Sequence, residues 1–246
     1  MTPGTARSGV GSLLRRLSPN VGAIVSTTSD DLALTFDDGP DPYETQRLLE
    51  LLDRHGATAT FFVLLTRTRR HPSVLAEVIA AGHEIGLHGP DHQALSDFSF
   101  RVATHRTIEA RDELEQATGS PVRWFRPPYG SQSLTSYLAS RRAGLTPVLW
   151  SATTWDWKAV PQQERIKKAL AGAGPGTIML AHDGTADASD RADTVEDSAC
   201  DRAGLMAELL EKLGDRGLAV RSLGEVLTTA KAMRTPRLTT RPPQPG

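Results

Sequence analysis

The alternation of short apolar runs with amphipathic segments constrains the fold of this chain more than any other feature. Seven runs rich in apolar and β-branched residues are predicted strands: residues 32–36, 58–63, 84–88, 122–125, 146–150, 177–181 and 218–221. Helical patterns such as residues 43–55 lie between them, and several end at a glycine, as expected for a left-handed helix cap. Strands and helices that alternate in this way predict a parallel sheet with right-handed crossovers.

A single α/β domain, built as a distorted (β/α) barrel of about seven parallel strands, is the fold that this pattern predicts. The chain has 246 residues, and such barrels often use ~200–250 residues as one domain. A doubly wound open sheet is the alternative. We expect residues 1–30 to be an N-terminal lead-in, residues 31–227 to be the folded domain, and residues 228–246, which are rich in Pro, Thr and Arg, to be a disordered tail.

Composition argues against several classes of function. A net charge of −1 argues against nucleic-acid binding, which needs a basic face. The single cysteine, Cys200, excludes an internal disulfide framework and a cysteine-based zinc site. No apolar run approaches the ~18 residues of a membrane span, and the first residues show no apolar core of a secretory signal. We therefore expect a cytoplasmic monomer with no nucleic-acid or membrane partner, and a secreted or cell-wall location is the alternative.

Carboxylates and histidines follow two of the predicted strands. Asp37 and Asp38 come directly after the first strand, and adjacent carboxylates usually need a metal ion or a raised pKa. The third strand ends at His88, and His92 lies four residues further on, beyond a Gly-Pro pair. Two imidazoles and one carboxylate are a ligand set of catalytic zinc, although other divalent ions also accept it. An ordinary turn and a pair of surface histidines are the alternatives.

Three further strand ends carry residues suited to catalysis. Arg126 follows the fourth strand and is a permanent cation that can hold an aspartate, and the nearby prolines leave the N–H of Tyr129 as a donor. Three of the four tryptophans lie within residues 150–157, where their faces can stack on sugar rings. His182 directly follows the sixth strand and is a candidate proton donor. Catalytic residues of parallel barrels collect at these strand ends, so their joint presence indicates an enzyme.

In this order, the motifs resemble those of the NodB-homology polysaccharide deacetylases, which form carbohydrate esterase family four. The resemblance covers about residues 31–227 and identifies them as a catalytic domain of that family. It implies a distorted (β/α) barrel and one divalent metal ion, Zn²⁺ first, with Co²⁺ or Ni²⁺ as alternatives. It also implies an N-acetylated sugar as the substrate.

The resemblance also implies a role for each matching residue. The metal ligands would be Asp38, His88 and His92. The catalytic residues would be Asp37 as the base, Arg126 to orient it, Tyr129 to bind the oxyanion through its N–H, His182 as the acid, and Asp156 to tune that acid. Substrate would contact Tyr129, Trp157 as a wall of the groove, Leu180 in the pocket for the acetyl methyl group, and Pro127.

The implied function is that of a metal-dependent hydrolase that releases acetate from an amino-sugar-containing polysaccharide, oligosaccharide or glycoconjugate. One alternative is hydrolysis of another amide, such as a formamide or a ureide ring, on the same fold. A non-catalytic carbohydrate-binding relative is the other. Leu87, Gly89 and Thr153 depart from the family pattern, but none is a ligand, base or acid, so we expect activity to survive.

Two clusters of charge flank the predicted site. Residues 183–201 carry seven acidic side chains, and Arg67, Arg69 and Arg70 follow the second strand. The spacing of the acids matches no EF-hand calcium loop, so we expect a solvated rim there. The three arginines are expected to be solvated too.

Overall fold

The centre of the molecule is a parallel sheet of eight strands in a computed structural model that describes residues 21–193, 199–236 and 238. The strands of the molecule are β1 Ala23–Thr27, β2 Leu32–Asp37, β3 Thr60–Leu64, β4 Glu84–Gly89, β5 Trp124–Phe125, β6 Thr146–Pro147, β7 Ala152–Thr153, β8 Ile178–His182, β9 Val220–Arg221 and β10 Ala232–Thr235. The strands of the parallel sheet run in the order β6-β5-β4-β3-β2-β8-β7, and β9 pairs with β2. All seven predicted strands are present in this sheet, and β7 is an additional one.

Helices connect most of the successive strands of the sheet, as parallel pairing requires, whereas a short loop joins β6 to β7. The helices within the described residues are α1 Glu44–Arg54, α2 Leu65–Arg70, α3 Pro72–Ala80, α4 Phe100–Thr118, α5 Leu134–Arg142, α6 Gln162–Gly172, α7 Arg202–Asp215 and α8 Leu223–Thr229. Short 3₁₀ turns lie at Leu95–Asp97, Pro128–Gly130 and Ala188–Asp190. None of the described helices is both long enough and apolar enough to cross a membrane.

Burial of β2 explains why it lies at the middle of the sheet. Every side chain of β2 is buried, because β3 and β8 flank the strand and side chains pack on both of its faces. The amphipathic helix α1 buries Leu48, Leu51 and Leu52 on one stripe and packs against α7. These contacts hold the carboxyl end of β2, where the candidate catalytic residues begin, on a rigid support.

The sheet curls into the predicted distorted barrel rather than a doubly wound open sheet. Strand β1 bridges two separate parts of the parallel sheet. Ile24 forms a bridge with Val148, and Ser26 forms a bridge with Thr177. Val148 follows β6, and Thr177 precedes β8. The barrel is therefore completed on this side by a strand that is not part of the parallel ladder.

The folded domain extends beyond the limits 31–227 that the sequence predicts. Strand β1 pairs antiparallel with β10, with Ala23 opposite Thr235 and Thr27 opposite Ala232. Residues 21–30 therefore belong to the fold, and the described residues from 228 to 236 do not form the predicted disordered tail. The two segments are far apart in the sequence, and the hydrogen bonds between them hold both in place. Composition does not reveal such pairing. Residues 1–20, 194–198, 237 and 239–246 lie outside the described part of the chain, and for them the prediction stands as it was made.

Candidate active site

Three buried side chains converge at the carboxyl ends of β2 and β4. Asp38 directly follows β2 in a left-handed conformation with φ 75°, His88 lies in β4, and His92 lies in the loop beyond it. The Oδ1 atom of Asp38 is 3.3 Å from Nε2 of His88 and 3.2 Å from Nε2 of His92. Ligand atoms from the three residues all lie within 4.8 Å of one another.

The donor atoms of this cluster fit a divalent cation. Oδ1 of Asp38 is buried and accepts no hydrogen bond from the described residues. A buried carboxylate oxygen without a partner is costly unless a cation or a donor faces it. The nitrogen and oxygen donors are also those that divalent zinc and related ions accept. The buried Asp38, His88 and His92 are therefore consistent with a divalent metal site.

Hydrogen bonding directs the imidazole of His88 into the cluster. Its Nδ1 lies 2.8 Å from the backbone carbonyl oxygen of Arg126, so Nδ1–H donates and Nε2 is turned toward Asp38. Burial would raise the pKa of Asp38, but the imidazoles of His92 and His88 hold it well below its usual range. The carboxylate of Asp38 is thus ionised, as a metal ligand must be.

A buried arginine holds the second carboxylate beside this cluster. Nη1 of Arg126 donates to Oδ1 of Asp37 over 2.7 Å and to Oγ1 of Thr35 over 2.8 Å. The guanidinium is fully buried and lies 4.2 Å from the centre of the Phe62 ring. Burial lowers the pKa of Arg126, and Asp37 opposes that shift, so the side chain stays cationic. Oδ2 of Asp37 is 4.0 Å from Nδ1 of His88, which puts this carboxylate next to the candidate metal ligands.

The candidate acid forms a pair with Asp156. Nδ1 of His182 lies 2.9 Å from Oδ1 of Asp156, and the backbone N–H of His182 donates to Oδ2 over 2.6 Å. Burial lowers the pKa of His182, but Asp156 first, and then Asp38 and Asp37, raise it to about 9. The ring of Trp157 lies edge-on to that of His182 with a centroid separation of 5.2 Å. Asp156 therefore leaves Nε2 of a cationic imidazole to face the site.

Strand register brings His182 beside Asp37. The two residues occupy paired positions on the neighbouring parallel strands β8 and β2. Leu180 is buried two residues earlier on β8, so its side chain lies on the same face of the strand as that of His182. Acid and base candidates thus emerge side by side at one edge of the sheet.

Tyr129 contacts the cluster from the loop after β5. It lies in the 3₁₀ turn Pro128–Gly130 with a positive φ of 60°, and Pro127 is the buried residue that precedes this turn. The ring of Tyr129 meets that of His92 edge-on at 4.3 Å, and its hydroxyl accepts the N–H of Asp193 over 3.0 Å. The structure therefore joins Tyr129 to the candidate ligands by contact, while Pro127 and Leu180 lie on adjoining elements.

The departure at Gly89 has a steric reason. A Cβ atom at Gly89 would lie 2.6 Å from the carbonyl oxygen of Asp91, so Ser or Thr does not fit this loop as it is folded. The buried carboxylate of Asp91 instead accepts a hydrogen bond from Arg106 over 2.7 Å. The hydrogen bond from Arg106 to Asp91 thus supports the loop between His88 and His92, which has no hydroxyl at position 89.

Three charged residues near the site, Asp183, Asp190 and Arg67, are buried, contrary to the expectation from the sequence. Asp190 is fully buried against Arg67, and Asp183 accepts a hydrogen bond from Oγ1 of Thr45 over 2.6 Å, so neither acid belongs to a solvated rim. Burial raises the pKa of Asp183 to about 7. Arg67 is also buried, whereas Arg69 is exposed as expected. The position of Arg67 just beyond the carboxyl end of β3 was a usable signal, because that end of the sheet carries the site.

Comparisons with known proteins agree with this geometry. The family model for polysaccharide deacetylase matches residues 25–148. A chitooligosaccharide deacetylase of Sinorhizobium fredii is 34% identical over 205 residues, which are 80% of this chain and 92% of that protein. A peptidoglycan-N-acetylglucosamine deacetylase of Bacillus cereus is 32% identical over 201 residues, 80% of this chain and 87% of that protein.

A solved structure gives the same result. The family 4 carbohydrate esterase from Streptomyces lividans, in complex with acetate, matches with a TM-score of 0.66 and 25% identity over 78% of this chain and 91% of that one. The chain belongs to the polysaccharide deacetylase family, which confirms the resemblance carried by its motifs. It is a carbohydrate deacetylase, a hydrolase that acts on the amide bonds of amino sugars.

Proposed function

We propose that the protein removes N-acetyl groups from oligomeric or polymeric amino sugars and releases acetate, with Zn²⁺ as its preferred metal ion and Co²⁺ or Ni²⁺ as substitutes. One observation carries the proposal. The buried cluster of Asp38, His88 and His92 shares its edge of the sheet with Asp37 and His182, a carboxylate and an imidazole at paired positions. Hydrolysis of an amide needs a base and an acid beside a polarised carbonyl, and this edge offers both.

Asp38 Oδ1, His88 Nε2 and His92 Nε2 are the atoms that would hold the metal ion. When bound, a divalent cation polarises the acetyl carbonyl and lowers the pKa of a bound water. Asp37 takes the proton of the attacking water. Its Oδ1 is held by Arg126, so its Oδ2 is the oxygen that faces the reaction.

The remaining residues stabilise charge and complete the proton transfer. The backbone N–H of Tyr129 binds the oxyanion of the tetrahedral intermediate, a contact of the kind worth about 3–4 kcal/mol. His182 then donates the proton on Nε2 to the departing amine, which leaves poorly unless it is protonated. Leu180 and Pro127 line the acetyl pocket, and Trp157 forms a wall of the sugar groove.

The relatives' names point to two classes of substrate, chitooligosaccharides and peptidoglycan glycan strands. Acetate release from mono-, oligo- and polymeric N-acetylglucosamine substrates and from peptidoglycan, in the presence of zinc or cobalt, tests the proposal. We expect acetate release from the sugars, no formate release from formamides and no ring opening of cyclic ureides under the same conditions. A zinc-loaded protein that releases no acetate from any of these sugars would contradict it.

Two variants separate the base from the metal site in the same assay. We expect Asp37→Asn to abolish acetate release yet retain bound zinc, because the three ligands are intact. We expect His88→Ala to lose both, because a ligand is gone. Near wild-type acetate release by Asp37→Asn would show that the base is another residue.

A further inference from the structure

Arg67 lies behind the candidate metal site and joins segments that are far apart in sequence. Its side chain is only 7% exposed, although arginine is rarely buried. Nε donates to Oδ2 of Asp190 over 2.9 Å, Nη1 lies 3.5 Å from Oδ2 of Asp41, and Nη2 donates to the carbonyl oxygen of Thr185. One guanidinium therefore connects the loop after Asp38 with the loop after His182.

Asp190 carries this connection to a candidate metal ligand. Its side chain is fully buried and accepts hydrogen bonds from Arg67, Arg70 and Thr66. Its backbone carbonyl accepts the N–H of His92 over 2.8 Å. Asp190 thus holds the backbone of His92, and Arg67 and Arg70 in turn hold the side chain of Asp190.

Helix α2, which contains Arg67, also supports the start of the loop between His88 and His92. The N–H of Thr66, next to Arg67 in α2, donates to the carbonyl oxygen of Pro90 over 3.2 Å. A Cβ atom at Gly184 would lie 3.1 Å from Nη1 of Arg67 and 3.2 Å from the carbonyl oxygen of Asp38, so these groups meet without space between them. Little room remains for the loops to move independently of Arg67.

We propose that Arg67 and Asp190 are positioning residues that set the metal affinity of the site by holding the backbone of His92 and the loop after Asp38. Neither residue contacts the candidate ligand atoms themselves. They act through backbone geometry, and outer groups that orient metal ligands typically contribute 10–100-fold to affinity. The inference rests on the metal site of the proposed function.

Zinc titration of purified, metal-free protein, in competition with a chromophoric chelator, tests the inference without any substrate. We expect Arg67→Gln and Asp190→Asn to raise the dissociation constant for zinc about 10–100-fold. Arg67→Lys should give a smaller rise than Arg67→Gln, because lysine keeps the positive charge, although one ammonium cannot reach Asp190 and Asp41 together. Arg69→Gln is the matched control, since Arg69 lies in the same helix but is exposed and bound to Glu113, and its zinc affinity should equal that of the wild type.

Circular dichroism and urea unfolding of the metal-free proteins distinguish positioning from general stability. A purely structural role would lower the urea midpoint and leave the zinc affinity of the folded protein unchanged, and that result would overturn the inference. If Arg67→Gln does not fold, Asp190→Asn and Arg67→Lys decide by the same criterion. A wild-type protein that binds zinc but releases no acetate would refute the proposed function alone, and one that binds no zinc would refute both.

Discussion

At the scale of single residues, contacts with Asp156 control the protonation of His182. Both carboxylate oxygens of Asp156 bind it, one at Nδ1 and the other at the backbone N–H. The imidazole pKa is raised from 6.5 to about 9 despite burial, because Asp156 lies against the ring. A raised pKa keeps the imidazolium present at neutral pH, which is the form that a proton donor needs.

Replacing Asp156 by Asn should move the alkaline limit of activity to lower pH. The acid works while His182 is protonated, so activity is present below its pKa and is lost as pH rises through it. In the wild type this limit lies at or below about pH 9. A bound cation would offset part of the negative charge of Asp37 and Asp38, which helps to raise the pKa of His182. In Asp156→Asn burial still lowers the pKa of His182, while the carboxylate that opposes it most strongly is gone. Profiles of kcat/KM against pH should show a shift of about one unit or more, and an unchanged alkaline limb would contradict the role of Asp156.

Residues at strand ends could be predicted from the sequence, but their supporting network could not. Apolar runs are followed by, or end at, Asp37, Asp38, His88 and His182, and His92 lies four residues beyond His88. Topology alone brings such positions together. Arg67 and Asp190 are 123 positions apart, and Thr45 and Asp183 are 138 apart. Each of these side chains has a solvated alternative that is equally compatible with the local sequence. Only the tertiary fold decides between an exposed charge and a buried pair.

At the scale of elements, strands that coincide with continuous apolar runs were predictable, and β1, β7 and β10 were not. Continuous apolar runs marked β2, β3, β4 and β8 to within two residues. Strand β7 has only two residues, which are too few to show any periodicity, and within the described residues it pairs with β8 alone. The pairing of β1 with β10 joins the two ends of the described chain, so no local sequence pattern predicts it.

One cross-strand pair limits how the sheet can be altered behind the site. Gly86 on β4 is paired with Phe62 on β3, and a Cβ atom at Gly86 would lie 2.7 Å from Cδ1 of the Phe62 ring. The guanidinium of Arg126, which holds Asp37, also packs on that ring. The absence of a side chain at position 86 therefore leaves room for the ring that packs on Arg126.

Gly86→Ala should destabilise the protein by about 1–3 kcal/mol, because overpacking forces Phe62 out of its position. Gly214→Ala is the matched control in α7, where a new Cβ atom meets nothing within 4 Å. That substitution in a helix should instead stabilise by roughly 0.5–1 kcal/mol. Urea unfolding measures both free energies. Equal effects of the two substitutions would show that the contact with Phe62 does not restrict position 86.

For the whole molecule, the candidate metal centre links parts of the fold that the sheet alone leaves apart. Asp38 stands on the loop after β2, and His92 stands on the loop after β4, with β3 between these two strands. A cation held by both loops binds the native state far better than the unfolded chain, in which the ligands are dispersed. Metal binding therefore contributes to global stability as well as to chemistry.

Zinc should raise the thermal unfolding midpoint of the wild-type protein and leave that of Asp38→Asn almost unchanged. A ligand at 100 times its dissociation constant stabilises the native state by about 2.7 kcal/mol. Asparagine is a suitable replacement because it tolerates the left-handed φ of 75° at this position and matches aspartate in size, so lost ligation is the main change. Calorimetry with and without zinc, after treatment with a chelator, measures both shifts. Equal shifts in the two proteins would place the stabilising zinc elsewhere, since Asp38 supplies the only carboxylate of this cluster.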